Sequence, residues 1–482
     1  MIMRTIWFLG AVVVALAITW LSHDDHSPLY VPTSLDLLTL SAHDITDLLG
    51  NNTITTLQIT KEYLRRIELD DRSGLGLRTI LELTPIQSVL SIAKERDLER
   101  QKGLTRSPLH GVPLIVKGNM ATDQSLGMST SSGAFALQNA TASQDAHIVA
   151  KARQAGMIIL GKSNLAELNG FKDNSLSPGW SALGGESLSP YDLKSAWDIA
   201  ALLTEIDGVG ARDPITSEPE GLLVNFTNFL DASWADFRIG VADKEWFWSI
   251  LPGFVGSQED IDDEQRMFSA GLDVVREMER RGATIIADAK IRSAHLSTNH
   301  VAKLMGRIIR YEMGPGFARH VAGLKGTETK SLADLVEFNR KFPESSCLEE
   351  NSAQKYLESV LDQKMTPEEY QDALLEARKI AIEEGIIETL DSHNLDALVL
   401  PAWTDMSIYA AWAQAPTATL PLGKYRDGKP YGLGFVARRF DDSKPLQIMN
   451  LYEKTFLPRA VPEKMRWKRW ERFLPGDCLG AF

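Results

Sequence analysis

Residues 143–168 read SQDAHIVAKARQAGMIILGKSNLAEL, and this stretch decides the fold. Ser143–Gly156 has the form of a helix that ends on glycine, the residue that best tolerates the left-handed turn at a helix C-terminus. Met157–Lys162 is a short apolar run of the buried-strand kind, and Ser163–Leu168 opens a further helix. Upstream, Gly111–Asn119 (GVPLIVKGN) is a second apolar run, bounded by proline and glycine. Alternating helices and unbroken apolar strands predict an α/β domain, with a mostly parallel sheet covered by helices on both faces.

The alternation continues outward. Two short helices come first. In the second, Thr55 and Gln58 have the spacing of a capping box, and Ile59, Tyr63 and Ile67 share one face. A charge-rich helix follows near Ile92–Gln101. Downstream, Phe237–Asp243 reads as a strand, QRMFSAGLDVVREMERRG as a helix and ATIIA as a strand, which makes a βαβ unit with an expected right-handed crossover. Thr366-Pro367-Glu368-Glu369 carries a cap, a first-turn proline and a third-position glutamate, the start of a long helix. LDALVLPAW is then a buried strand, and TATLPLG a second strand or loop.

The 482 residues are 44% hydrophobic and 24% charged, a globular composition that allows roughly three domains or one large α/β domain with a sizeable core. The net charge of −13 disfavours a nucleic-acid partner, because phosphate binding needs a basic face. The basic, aromatic run Glu463–Phe473 (EKMRWKRWERF) reads as a terminal helix docking its tryptophans rather than a membrane-surface patch. Two cysteines, Cys347 and Cys478, encode neither a disulfide framework nor a zinc cluster.

At the N-terminus, Arg4 precedes an uncharged apolar run from Ile6 to Leu21, shorter than the about 20 residues of a membrane span. With Ala15-Leu16-Ala17 as a small-residue cleavage site, residues 1–21 are expected to be a signal peptide; a retained signal anchor is the alternative. Residues 22–34 are turn-rich and read as a linker, in which His23 and His26 flank Asp24 and Asp25 as solvated side chains rather than metal ligands. Asn-x-Thr sequons at Asn51, Asn139 and Asn225 fit the secretory route. Secretion is the expectation, and a membrane is a partner only if the N-terminal segment stays in place.

Lys117 is the odd residue of its strand. It closes the apolar run Val112–Val116, where its amine either snorkels to water or sits partly desolvated as a candidate general base. The histidines form no HExxH motif, and His295 and His300 are spaced too widely for one helix face. No metal site is expected. No G-x-S-x-G elbow, Walker A loop or G-x-G-x-x-G fingerprint occurs. Ser131 and Ser132, in GMSTSSGAFAL, could form a nucleophile loop, but small hydroxylated residues before a helix are commonly caps and turns.

The order of these segments resembles the amidase signature family, in the form of its secreted fungal-type members. The run is PLHGVPLIVKGN, GMSTSSGAFAL, SQDAHIVAKARQAGMIILGKSNLAEL, PGWSALGG and, late, LDALVLPAW, AQAPTATLPLG and GLGFVARRF, from about residue 35 to about residue 453. The resemblance implies an amidase-signature fold, a mixed sheet between helical layers in one domain over 35–482. It also implies hydrolysis of small-molecule amides without metal or organic cofactor, by a Ser–cisSer–Lys triad. Lys117 matches the family lysine, whose neutral amine accepts a proton from the middle serine; Gly118 stands where many members carry aspartate. Phe171, Asp173, Asn174 and Ser175 fall where a substrate pocket is expected.

One block is absent. In the family, the segment after PGWSALGG supplies a GGSSGGS-like loop with the middle serine, then a GTETDGSI-like element with the nucleophile and the oxyanion donors. Here LGGESLSPYDL runs directly into KSAWDIAALLTEI, so the core is expected to be truncated between about 186 and 194. Ser187, Ser189 and Ser195 lie near the join without either motif, and Ser131 and Ser132 match a different position. The chain as written is therefore expected to be an amidase-family hydrolase without activity. A non-catalytic ligand-binding protein and a hydrolase using Ser131 or Ser132 with Lys117 are the alternatives.

Overall fold

A computed structural model describes residues 37–456, apart from 174, 178, 189–224, 250–256, 297–298, 347–353, 403, 405 and 427–429. The N-terminal segment, Asn174, the join near 189–194 and the basic run 463–473 thus lie outside the described residues. The strands are β1 (Ile80–Leu83), β2 (Pro113–Lys117), β3 (Thr141–Ala142), β4 (Ile158–Ser163), β5 (Trp180–Ser181), β6 (Gly185–Glu186), β7 (Arg238–Ala242), β8 (Thr284–Ala289), β9 (Leu324–Lys325), β10 (Ala397–Pro401), β11 (Thr417–Lys424) and β12 (Pro430–Val436). The principal helices are α1 (Ala42–Gly50), α2 (Thr56–Ile67), α3 (Ile86–Gln101), α4 (His147–Gln154), α5 (Gln258–Arg280), α6 (His300–Ala322), α7 (Leu332–Lys341), α8 (Lys355–Leu361), α9 (Pro367–Arg378), α10 (Ile386–Ser392), α11 (Met406–Ala413) and α12 (Ser443–Thr455).

The helix starts follow from local chemistry. Thr55 caps α2 and Thr366 caps α9, each with its reciprocal partner, Gln58 or Glu369, so two orphan amides are satisfied at each end. α5 begins earlier than its apolar periodicity indicates, because Ser257 and Asp260 form a further capping box.

The strands run in mixed directions, as the family resemblance implies and unlike the mostly parallel sheet that the apolar pattern alone predicts; among the described residues they form two large sheets and two two-stranded ones. One large sheet has the order β1-β4-β2, the other β11-β12-β10-β7-β8. The first joins β1 to β4 antiparallel and β4 to β2 parallel. In the second, β7 pairs in parallel with β8 and β10, whereas β12 runs antiparallel to β10 and β11. α5 connects β7 to β8 as the sequence predicts. The second sheet carries the largest core, in which Ile239, Val241, Leu398, Leu400, Leu433 and Phe435 meet α5 residues Met267, Val275 and Met278. A separate cluster lies beneath the first sheet, and a third gathers Ala134, Leu137 and Leu168 with Phe317, Val321, Leu335 and Leu357.

Two local expectations change. Ser163–Leu168 does not open a helix; it leads into a tight turn at Glu167–Gly170 in which Leu168 and Asn169 are left-handed (φ 52° and 60°). The Gly111–Asn119 strand is an edge, not a covered centre: Pro113, Leu114 and Ile115 are only half-buried.

Candidate active site

Lys117 ends β2, opposite Ser163 of β4, where the parallel ladder stops. Its side chain is exposed and faces solvent rather than a closed site. Among the described residues its amine has no hydrogen-bond or ion-pair partner.

Two left-handed loops flank this strand end. In the first, Ser132 (φ 52°) and Gly133 (φ 77°) turn the chain sharply, and the Ser132 N–H donates to the Gly118 carbonyl at 3.4 Å. In the second, the Leu168 N–H donates to the Ser132 carbonyl at 3.1 Å, and Asn119 Nδ2 donates to Asn169 Oδ1 at 3.5 Å. Non-glycine residues at positive φ are costly, and they persist where the surroundings fix them. Here the two loops fix each other. A Cβ on Gly133 would stand 2.6 Å from the Ser181 Cβ, so only glycine lets the β5–β6 hairpin approach.

That hairpin is what the glycine pair of PGWSALGG forms. Gly185 is left-handed (φ 68°), β5 and β6 pair antiparallel, and Asn164 closes the turn by donating from Nδ2 to the Gly185 carbonyl and accepting from Ser181 Oγ at 2.7 Å. Ser131 and Ser132 are 1% and 6% exposed, so neither hydroxyl is presented for attack.

Two buried lysines hold the frame, and the sequence reading passed over both. Lys162 is fully buried, and its Nζ donates to the Ser129 carbonyl at 2.5 Å and to Thr130 Oγ1 at 3.0 Å. Burial pushes its pKa down to about 8, while the charges of Glu82 and Asp145 pull the other way. Glu82 clamps the same loop by accepting from the Ser129 N–H and hydroxyl, each at 2.8 Å. Lys172 pairs with Glu167 at 2.8 Å with both side chains 1% exposed, donates to the Ser346 carbonyl and lies over the Trp180 ring. Burial raises the Glu167 pKa despite the Lys172 contact and a hydrogen bond from the Ala182 N–H. No local pattern marks these lysines as buried; the only cue is that each follows or interrupts a glycine-rich or apolar segment.

The structure brings Phe171, Asp173 and Ser175 together around α8. Phe171 packs on Tyr356 with ring centroids 5.6 Å apart. Asp173 accepts from the Ser175 N–H and hydroxyl, and from the Lys355 N–H at 2.8 Å. Burial acts to raise its pKa, but these hydrogen bonds hold it below the usual carboxylate range. Asn51, Asn139 and Asn225 are all exposed; Asn225 also caps a short helical turn by accepting from Thr227. His300 meets Glu376 at 2.7 Å. Among the described residues no group of His, Cys, Asp or Glu side chains could hold a metal ion, and no helix is long and apolar enough to cross a membrane.

A cleft of about 460 Å³ lies elsewhere, between α6, α9 and α11. Met305, Ile308, Leu374 and Trp412 line it, with Glu312 and Arg378 as its charged groups.

The arrangement of mixed sheets packed with helices has its counterpart among solved structures. Native peptide amidase from Stenotrophomonas maltophilia superposes with a TM-score of 0.76 and 26% identity, over 90% of this chain and 99% of that one. The fold is therefore the amidase fold. The family model described as Amidase matches residues 58–180, from α2 through Lys117 to Trp180. A presumed amidase of Schizosaccharomyces pombe is 25% identical over 86% of this chain and 84% of its own length. A probable amidase of Arabidopsis thaliana is 24% identical over 91% and 94%. The chain is thus similar to amidases in sequence, most clearly over residues 58–180, and in fold over most of its length.

Those two alignments run over 500 and 492 positions although this chain has 482 residues and contributes only part of them. Each relative thus carries residues that face none of this chain's.

Proposed function

We propose that this chain is an amide hydrolase of the amidase signature family from which the serine half of the triad is missing, and that as written it does not hydrolyse amides. The direct join of SPYDL to KSAWDI carries this reading. Lys117 is the base that remains. A base without a nucleophile can accept a proton, but nothing then attacks the carbonyl. The edge of β2 that has no partner among the described residues, and the surplus positions in the alignments, support residues missing from this chain. The intact gene product would then contain a glycine- and serine-rich segment near residues 186–194 and act on small amides.

The test is restoration. Full-length transcripts across the codons for Gly185–Ala196 are expected to encode extra residues. The 482-residue chain is expected to show no amide or ester hydrolysis and no labelling by a serine-directed phosphonate. The restored chain is expected to show both, with Lys117→Ala abolishing hydrolysis. Loss of even one oxyanion donor lowers a rate by about 10²–10³, so the contrast should be large. Stoichiometric labelling of the 482-residue chain at Ser131 or Ser132 would overturn the reading.

The cleft between α6, α9 and α11 favours one second reading, a non-catalytic protein that binds an apolar ligand there. Saturable quenching of Trp412 fluorescence by an alkyl amide, lost in Ile308→Asp, would support it. We further propose secretory export and glycosylation at Asn51, Asn139 and Asn225, supported by the N-terminal pattern and by the exposure of the three asparagines. An unglycosylated product with intact Met1, made in a secreting host, would reject that.

A further inference from the structure

α6 belongs to two cores. Its first turns bury Val301, Leu304 and Ile308 in the cluster of the five-stranded sheet. Its last turns bury Phe317 and Val321 in the cluster shared with Ala134, Leu137 and Leu168, and β9, just beyond the helix, pairs with β3. The chain changes allegiance between Ile308 and Phe317, and the interval contains Gly314-Pro315-Gly316.

Pro315 lies inside the helix. It has no N–H for the carbonyl of Tyr311, one turn earlier, so a rung of the helical ladder is missing there. The two glycines are not required by packing. A Cβ on Gly314 would find its nearest atom at 4.0 Å, on Val360, and one on Gly316 at 3.9 Å, on Arg319. What they supply is backbone freedom on each side of the missing rung. The segment before the interval is held firmly: Tyr311 stacks on Tyr370 with centroids 4.2 Å apart, and the Tyr370 hydroxyl donates to Glu312. The segment after it is held by the β3–β9 pair and by Leu335, Val336 and Val360. No strand ladder joins the two large sheets among the described residues.

We propose that Gly314-Pro315-Gly316 is a hinge about which the body carrying the five-stranded sheet rocks against the body carrying the three-stranded sheet. Lys117 rides on the second body, and the cleft lined by Met305, Ile308 and Trp412 on the first, so the motion changes the distance between the surviving base and the apolar cleft. The hinge stands apart from the question of catalytic activity.

The test is a distance measurement on the full chain. Cys347→Ser and Cys478→Ser remove the native thiols, and spin labels are placed at the exposed positions Leu98→Cys and Leu375→Cys, one on each body. A second pair, Leu375→Cys with Phe440→Cys, stays within one body. The expected inter-body distribution is at least about twice as wide as the intra-body one, and Gly314→Ala/Pro315→Ala/Gly316→Ala narrows it to the control width. Equal widths in the parent, or a width that the triple variant leaves unchanged, would overturn the hinge. If the triple variant does not fold, hydrogen exchange on the unsubstituted chain decides. Amides of residues 312–314, 316 and 317 are expected to exchange at least about tenfold faster than those of 304–310 and 318–322, and uniform protection along α6 would overturn the proposal.

Discussion

β10 and β2 are similar sequences with different fates. Ala397–Pro401 (ALVLP) and Pro113–Lys117 (PLIVK) are both unbroken apolar runs of the kind that encodes a central strand. β10 lies between β12 and β7 and is buried along its whole length. Among the described residues β2 pairs only with β4, and Leu114 and Ile115 remain half-open. An apolar run specifies that both faces and both edges should be covered; it does not supply the cover. In β10 the partners are present in the chain. In β2 one edge has none among the described residues, and an open edge leaves its apolar side chains half-exposed.

The comparison can be broken by placing a charge in each strand. Val399→Asp puts a carboxylate at a fully buried site, and we expect it to cost more than about 5 kcal/mol and to unfold the C-terminal body. Ile115→Asp, at a half-buried edge, should cost only about 1–2 kcal/mol by denaturant titration. Equal costs would show that the β2 edge is covered. In the restored chain the Ile115→Asp cost should rise toward that of Val399→Asp.

A smaller effect is expected at the buried ion pair beside the three-stranded sheet. Lys172→Met leaves Glu167 buried without its partner, at a cost of about 3–5 kcal/mol, read as a fall in urea midpoint. Adding Glu167→Leu should recover part of the loss. If the double variant is as unstable as the single, the pair is not the source of the defect.

Lys162 gives a pH signature. Its folded pKa, near 8, lies below the ordinary 10.5, so the folded state favours the neutral amine. Below pH 8 both states bind the proton and the burial penalty stands in full. Between pH 8 and about 10 the unfolded chain binds more protons than the folded one, so stability should rise with pH, by on the order of 2 kcal/mol. Above pH 10 the trend reverses, because burial holds the Tyr452 phenol up near 12 and the unfolded chain ionises first. The Lys162→Met variant should lack the rise. A wild-type profile that is flat from pH 8 to 10 would refute the assignment.

The smallest effect belongs to the helix caps, which should be equivalent in the two bodies. Thr55→Ala and Thr366→Ala should each cost about 1 kcal/mol, whatever the state of the sheet above. A much smaller loss at Thr55 would mean that the N-terminal body is already loosened in the native state.

Lys117 stood out in the sequence for the same local reason as the caps. Thr55 with Gln58, and Thr366 with Glu369, act over one helical turn, and Lys117 is marked by the apolar run that it closes. The left-handed Leu168 was not legible, because leucine does not favour positive φ as Asn169 does; its conformation is imposed by the bond to Ser132, far away in the chain. Nor were the roles of Lys162 and Lys172, since a lysine is read as exposed until its partners are known. β1 was missed altogether, being four residues that become a strand only against β4.

The helix starts, the apolar strands and the family order of motifs were set by the sequence alone, because all of them depend on neighbours or on composition along the chain. The tertiary structure decided which strands acquired partners, which lysines were buried and where the two bodies meet. Those outcomes depend on contacts between segments tens to hundreds of residues apart, such as Lys172 with Ser346 and β7 with β10, and no local pattern carries the free energy of a contact whose other half lies elsewhere.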